Sequence, residues 1–332
     1  MVNFPVGLRC ECAGGRILDA LIIFVINNLI SRREGLIHEE IEMIKIMADS
    51  TCDLSPEIVA QYKLGIAPLK ININGTTYQD KIDLSSDEFF EYLPHLKELP
   101  TTSMPSPEAY LTIMDEALAE GYREFLCICM SSGTSGSYQS AVLAKEMFYE
   151  HHPQSDVKIH VVDSLSMSHG SGWLILKSAQ LLAEGYTFEE LVDFNETHKK
   201  RVKHLLCVED LKNLIKSGRL SNVGAFVGNL LQVKPIMSMK QGKGAIVTKV
   251  RGTNKAFKYY VDEFMKRNQA DLNNFIIIGY SSSIEIAQQL KERIEMQTDF
   301  KGLIHILQMG VAVGTHVGLG GVSMFFMEKE KA

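Results

Sequence analysis

The 332-residue chain contains no Cys-x-x-Cys pair, no Gly-Lys-Ser/Thr phosphate loop and no basic stripe, and each absence removes a class of function. Its six cysteines have neither zinc-site nor dithiol-redox spacing. Cys10/Cys12 and Cys127/Cys129 stand two apart, which in a strand puts both thiols on one face and suits reduced thiols in a cytoplasmic protein. Without a Walker-type loop there is no recognised grip on ATP phosphates. The 40 acidic residues outnumber the 34 basic ones, and a net charge of −6 disfavours nucleic acid as a partner. No Pro/Ser-rich linker, low-complexity tract or short repeat interrupts the chain, so a domain junction would be compact and a natural place for a ligand.

Membrane signals are also weak. The apolar run at residues 20–26 is too short to span a bilayer and ends in Asn27-Asn28. Arg9 and Arg16 precede it as in a secretory signal, but no small-x-small cleavage site follows. Ser31-Arg32-Arg33-Glu34-Gly35 is a peptide that purine-rich codons encode, and Met43 opens a clean β pattern. Residues 1–42 are therefore expected to be a mis-called start, with Met43 as initiator. The alternatives are an amphipathic, membrane-touching extension or a signal peptide.

What is present centres on Met130-Ser131-Ser132-Gly133-Thr134-Ser135-Gly136-Ser137. This stretch follows the apolar run Phe125-Leu126-Cys127-Ile128-Cys129 and opens a helix-like segment. Gly133 and Gly136 permit a sharp turn, and hydroxyls converge with the first free N–H groups of the helix. Such a corner suits an anion, whether phosphate, carboxylate or oxyanion. It is no nucleophile elbow, because Gly136 follows Ser135 directly.

From Met43 onward strand and helix patterns alternate. Strands are expected at 44–48, 66–73, 125–129 and 157–162, with helices opened by Ser55-Pro56, by the Ser85/Glu88 capping box and by Ser106-Pro107. Residues 100–105 are expected to form an extended loop. The second half offers strands at 233–239, 245–251, 274–280 and 303–308 and Val322 to Phe326, interleaved with helices. The fold expected is α/β with two domains: an N-terminal, parallel-sheet, Rossmann-like domain at 43–204 and a C-terminal α/β domain at 205–328, with the ligand between them.

Other constellations are less specific. Asp49 and Asp53, after the first strand, sit where open α/β sheets bind ligands, although capping the next turn explains them as well. An autonomous phosphotransferase or hydrolase built on Asp49, Asp53 and the Ser135 turn is the competing functional reading. Thr102-Ser103 lies between prolines, and Gly314-Thr315-His316-Val317-Gly318 places an imidazole among glycines. No metal-ligand set stands out.

In combination and in order these motifs resemble the DegV family. Its members bind long-chain fatty acids, some as the fatty-acid-binding subunit of bacterial fatty acid kinase, in the service of phospholipid synthesis. The resemblance rests on Asp49-Ser50-Thr51-Cys52-Asp53, the Thr102-Ser103-Met104-Pro105 loop, the 131–141 turn, Ser217-Gly218-Arg219, Arg251-Gly252-Thr253 and Gly314 to Gly318. It implies a ligand such as palmitate or oleate and no cofactor. Thr102, Ser135 and His316 would hold the carboxylate, supported by Ser103, Ser132 and Gly136. Arg219 and Arg251 would face a separate ATP-binding kinase subunit. The chain itself would be a carrier rather than an enzyme, with a lipid-sensing regulator as a further alternative. Met104, Ser137 and Leu319 depart from the Gln, Thr and Pro common in the family, which bears on loop rigidity and acyl preference.

Overall fold

A computed structural model describes residues 43–221 and 233–330. Residues 1–42, and with them the expectation about the initiator, lie outside the described residues. In chain order the first part comprises β1 (Ile44–Asp49), α1 (Pro56–Gln61), β2 (Gly65–Ala67), β3 (Lys70–Ile73), β4 (Thr76–Gln79) and α2 (Ser86–Tyr92). It continues through β5 (Thr101–Ser103), α3 (Pro107–Ala119), β6 (Glu124–Cys129), α4 (Ser137–His151), β7 (Lys158–Asp163), α5 (His169–Ala183) and α6 (Phe188–His198). The second part comprises β8 (Val202–Cys207), α7 (Lys212–Lys216), β9 (Leu220–Ser221), β10 (Val233–Lys240), β11 (Lys243–Arg251) and α8 (Thr253–Arg267). It ends with β12 (Phe275–Tyr280), α9 (Ile284–Gln297), β13 (Leu303–Gln308), α10 (Val311–Val317) and β14 (Val322–Met327).

The architecture is α/β. Strands β2-β1-β6-β7 form an all-parallel sheet, and β13-β12-β14-β8-β10-β11-β9 form a mixed sheet. Strands β4-β3-β5 make a small antiparallel sheet. The domain boundary expected at 204/205 falls inside β8.

Helix α5 packs against β1 and β6 of the parallel sheet and β8, β12 and β14 of the mixed one. It is buried nearly all round, as a helix between two layers must be. Trp173 at its centre is fully buried, stacks on Phe275 at 5.3 Å and donates its indole N–H to the Phe275 carbonyl at 3.4 Å. Gly172 permits the close approach, since a Cβ there would stand 2.3 Å from the Cys52 carbonyl oxygen.

Ser55 caps α1 and Ser85/Glu88 close a reciprocal capping box, as expected; Thr187/Glu190 close a second one that the sequence reading did not name. Two expectations are corrected. The strand expected at 66–73 is split by Pro68, which lacks an N–H for the ladder: β2 stays in the parallel sheet and β3 leaves it. The loop expected at 100–105 contains β5, which pairs Thr102 with Ile71.

Candidate functional site

Three buried carboxylates fix the elements that meet at the site. Asp49 accepts from the Thr51 N–H and hydroxyl and from the Met130 N–H at 2.8 Å, which ties the end of β1 to the corner after β6. Asp53 accepts from the Ser168 hydroxyl at 2.6 Å and the Gly310 N–H at 2.8 Å. Asp80 accepts from the Ser50 hydroxyl at 2.7 Å and the Ala312 N–H at 3.3 Å. Asp53 and Asp80 thus lie at the N-terminus of α10, where negative charge is favoured. Burial pushes all three carboxyls above the ordinary range, Asp53 to about 7 despite Lys81 at 3.9 Å. With their oxygens engaged in this way, Asp49 and Asp53 hold the frame rather than face a substrate.

That frame sets α10 beside β5. Residues 314–318, glycine-rich in sequence, are mostly helix, and Gly314 serves packing: a Cβ there would stand 2.6 Å from the Phe90 ring. His316, in the last turn, has its Nε2 2.9 Å from the Thr102 hydroxyl oxygen. Burial, with the Arg219 guanidinium nearby, holds this imidazole down to about 4, so it is neutral at pH 7.

At the corner, most hydroxyls turn into the protein. Ser131 donates to the Gly242 carbonyl at 2.6 Å, Ser132 donates to the Asp163 carboxylate, and Thr134 donates to the Ser131 carbonyl at 3.0 Å. Ser135 is different. Its oxygen lies 2.9 Å from the Ser137 hydroxyl and accepts the Ser137 N–H at 3.2 Å, and its side chain faces the same space as Thr102, Ser103 and His316. Gly136 leaves room for Met104, whose sulfur would meet a Cβ at 2.1 Å.

This polar group borders a cavity with about 890 Å³ of space free of protein atoms, part of it open to solvent. The centre of a water-sized sphere has only about 80 Å³ of it, so the space is narrow rather than a wide chamber. Leu69, Leu206, Leu214, Val313, Val317 and Phe325 contribute to the lining, with Met104, Met130, Met167, Met237, Met239 and Met309. A second, shallower hollow shares Thr102, Arg219 and His316 with the cavity and adds Lys216 and Asn213. Among the described residues no cluster of His, Cys, Asp or Glu is placed to hold a metal ion, and no helix is long and apolar enough to cross a membrane.

The family model matching residues 43–329 is that of the DegV family, described as uncharacterised protein. The chain belongs to the DegV family. A DegV domain-containing protein of Clostridium acetobutylicum is 35% identical over 289 residues, covering 87% of this chain and 99% of its own. Among solved structures, a fatty-acid-binding DegV family protein of Thermus thermophilus has a TM-score of 0.77 at 27% identity, covering 86% of this chain and 100% of that one. The fatty acid kinase B3 protein of Streptococcus pneumoniae, loaded with linoleic acid, has a TM-score of 0.75 at 29% identity, with coverage of 86% and 100%.

Within this DegV-family chain, Thr102, Ser103, Ser135 and His316 come together, and Arg219 joins them. Ser132 turns to Asp163 instead. Arg251 is exposed at the end of β11, whereas Gly244 at the other end pairs with Leu220, next to Arg219. Arg251 stands seven steps along the strand from Gly244, roughly 23 Å. The two arginines therefore do not form one patch. Sequence reasoning did not single out Met167, Met237, Met239, Met309, His204 or Ser323; for His204 and Ser323 the available signal was the alternation in β8 and β14, in which every second side chain lies on the face towards the cavity.

The depressed His316 makes a direct prediction. Its imidazole NMR signals are expected to titrate with a midpoint about 4 without ligand, and to move upward when a carboxylate is bound beside it, because a neighbouring negative charge favours the imidazolium. A midpoint near the ordinary histidine value that ignores ligand would contradict this placement.

Proposed function

We propose that this chain binds one long-chain fatty acid, such as palmitate or oleate, and presents its carboxylate to a separate ATP-dependent kinase. The acyl phosphate then leaves on the same cytoplasmic carrier. The observation that carries this reading is a narrow, apolar cavity bordered by the Thr102–His316 pair and Ser135.

The chemistry is coherent at the level of protons. If His316 donates through Nε2 to the Thr102 oxygen, the Thr102 proton is free for the ligand; this tautomer is assigned from the chemistry. If Ser135 accepts from the Ser137 hydroxyl as it does from the Ser137 N–H, its own proton is likewise available. Two hydroxyls can then donate to one carboxylate, with Arg219 adding positive charge. The tail supplies the affinity: at about 0.8 kcal/mol per methylene, a sixteen-carbon acid gains roughly 11 kcal/mol gross, before losses of ligand freedom. The head group supplies orientation, at about 1.5–3 kcal/mol per charge-assisted bond. Methionine side chains adapt to irregular shapes, so saturated and cis-unsaturated chains are both expected to fit.

Thr102, Arg219 and His316 also border the outer hollow, so a phosphoryl donor held by a partner has an approach to the carboxylate. Phosphoryl transfer needs phosphates held by aligned donors, usually with Mg²⁺, and the kinase would supply these.

Two tests follow. The Thr102→Ala/Ser135→Ala double variant is expected to bind oleate roughly 10- to 100-fold more weakly, measured by displacement of a fluorescent fatty acid, with its melting temperature little changed. Unchanged affinity would remove these residues from the head-group site. Acyl phosphate is expected from ATP and fatty acid only when the separate kinase is added; turnover by the purified chain alone would make it an enzyme.

A further inference from the structure

Phosphorylation adds a charged group at the head of a bound fatty acid, and that group needs a place of its own. The inward side is closed to it. Beyond Thr102, Ser135 and His316 the cavity is lined mainly by leucine, valine and methionine side chains, where a phosphate would lose its hydration without gaining partners. The outward side is different. The hollow that shares Thr102, Arg219 and His316 with the cavity has about 860 Å³ of space free of protein atoms, part of it open to solvent, and most of its walls are polar.

Local sequence builds the cationic side of this hollow. Lys216 ends α7, and Gly218 stops the helix with φ +73°, a left-handed conformation that folds the chain back. Arg219 is thereby returned to the hollow that Lys216 also borders. The Arg219 guanidinium donates through one nitrogen to the Ser217 carbonyl at 2.6 Å, which fixes the planar group with N–H donors to spare. Neither Lys216 nor Arg219 makes an ion pair among the described residues. Asn213, also on α7, donates to the Thr315 carbonyl at 3.1 Å and so holds α7 against the turn of α10 that carries His316. The two cations and His316 therefore belong to one packed unit.

Charge separates the two ligands. A fatty carboxylate carries one negative charge, whereas a phosphorylated one carries close to two and has three added acceptor oxygens. Glu98 is the one acidic residue that borders the hollow, against two cations, and His316 is neutral at pH 7. A phosphate standing in the hollow gains from both cations, while a carboxylate at the cavity mouth gains from Arg219 alone.

Resting on the fatty-acid-carrier reading above, we propose that this hollow is a phosphate subsite, in which Lys216 and Arg219 hold the phosphate of the acyl phosphate. The carrier itself, and not only the kinase, then recognises the phosphoryl group and keeps the phosphorylated product in preference to the free acid.

The test uses the full chain, stripped of lipid, with palmitate and with palmitoylmethylphosphonate, in which a methylene replaces the bridging oxygen of the acyl phosphate. Affinities are read by displacement of a fluorescent fatty acid under mildly alkaline conditions, where the phosphonate is doubly charged. The phosphonate is expected to bind about tenfold more tightly than palmitate and to lose more of its affinity as salt is raised. Lys216→Ala is expected to weaken the phosphonate about fivefold while leaving palmitate within about twofold. Lys216→Glu should weaken the phosphonate further, and Glu98→Gln should strengthen it about twofold. A phosphonate no tighter than palmitate, or an equal response of both ligands to Lys216→Ala, overturns the subsite alone and leaves the phosphate to the kinase. Absence of palmitate binding overturns the parent reading as well.

Discussion

Replacing Val313 by Trp is expected to weaken long-chain fatty acid binding about a hundredfold or more. Val313 is a half-buried residue of α10 that lines the cavity, while its neighbours Val311, Ala312 and Gly314 are buried in the protein. An indole there would fill space that the acyl chain needs. Denying burial to four methylenes at about 0.8 kcal/mol each costs about 3 kcal/mol, roughly two hundredfold in affinity. Because the added bulk enters open space, the melting temperature should change little. Oleate affinity within a few-fold of the unmodified protein would mean that the acyl chain lies elsewhere.

The largest effect on stability is expected at the centre of α5. Trp173→Ala removes a fully buried side chain that stacks on Phe275 and belongs to a core cluster shared with residues of β1 and β6. Truncation leaves a cavity that two layered sheets cannot easily collapse to fill. A loss of about 3–5 kcal/mol in urea unfolding is expected. The loss should fall on the whole cooperative transition, because one core cluster joins Ile46 and Leu126 to Ile277 and Phe325 through this helix. A loss below about 1 kcal/mol would show that the two sheets do not depend on α5 for their packing.

Local patterning made much of the fold legible in the sequence. Period-2 and period-3.6 alternation, the Ser85/Glu88 capping box and the Ser-Pro starts at Ser55 and Ser106 are short-range signals, and the elements form where those signals stand. Pro68 was a local signal too, yet apolar residues on both sides masked it. Longer-range facts were less accessible. Nothing in Gly314-Thr315-His316 shows that Gly314 is required by the Phe90 ring rather than by a turn, because that contact joins residues far apart in sequence. Arg219 and Arg251 looked equivalent as arginines beside glycines, but the β11 ladder carries them to opposite ends. The hydroxyl-rich corner was recognisable, whereas the division of labour within it was not. Asp163, which engages Ser132, comes from β7, and the Gly242 carbonyl, which engages Ser131, comes from the turn between β10 and β11.

The three buried carboxylates bear on the same point. Two of them were visible as candidates for catalysis because Asp49 and Asp53 follow the first strand. Their hydrogen bonds from the Met130 and Gly310 N–H groups and the Ser168 hydroxyl show why acidic residues stand there: they receive the donors that hold the corner and α10 in register. Asp80, which shares this task, belongs to no motif that the sequence made conspicuous.

The central claim is that the cavity holds a long-chain fatty acid with its carboxylate at Thr102, Ser135 and His316. The most direct measurement is mass spectrometry of the organic extract from purified protein, quantified against protein concentration and repeated after incubation with palmitate or oleate. The account predicts long-chain fatty acid approaching one per chain, lost on delipidation and restored by added acid. No extracted fatty acid and no uptake of either added acid would contradict it.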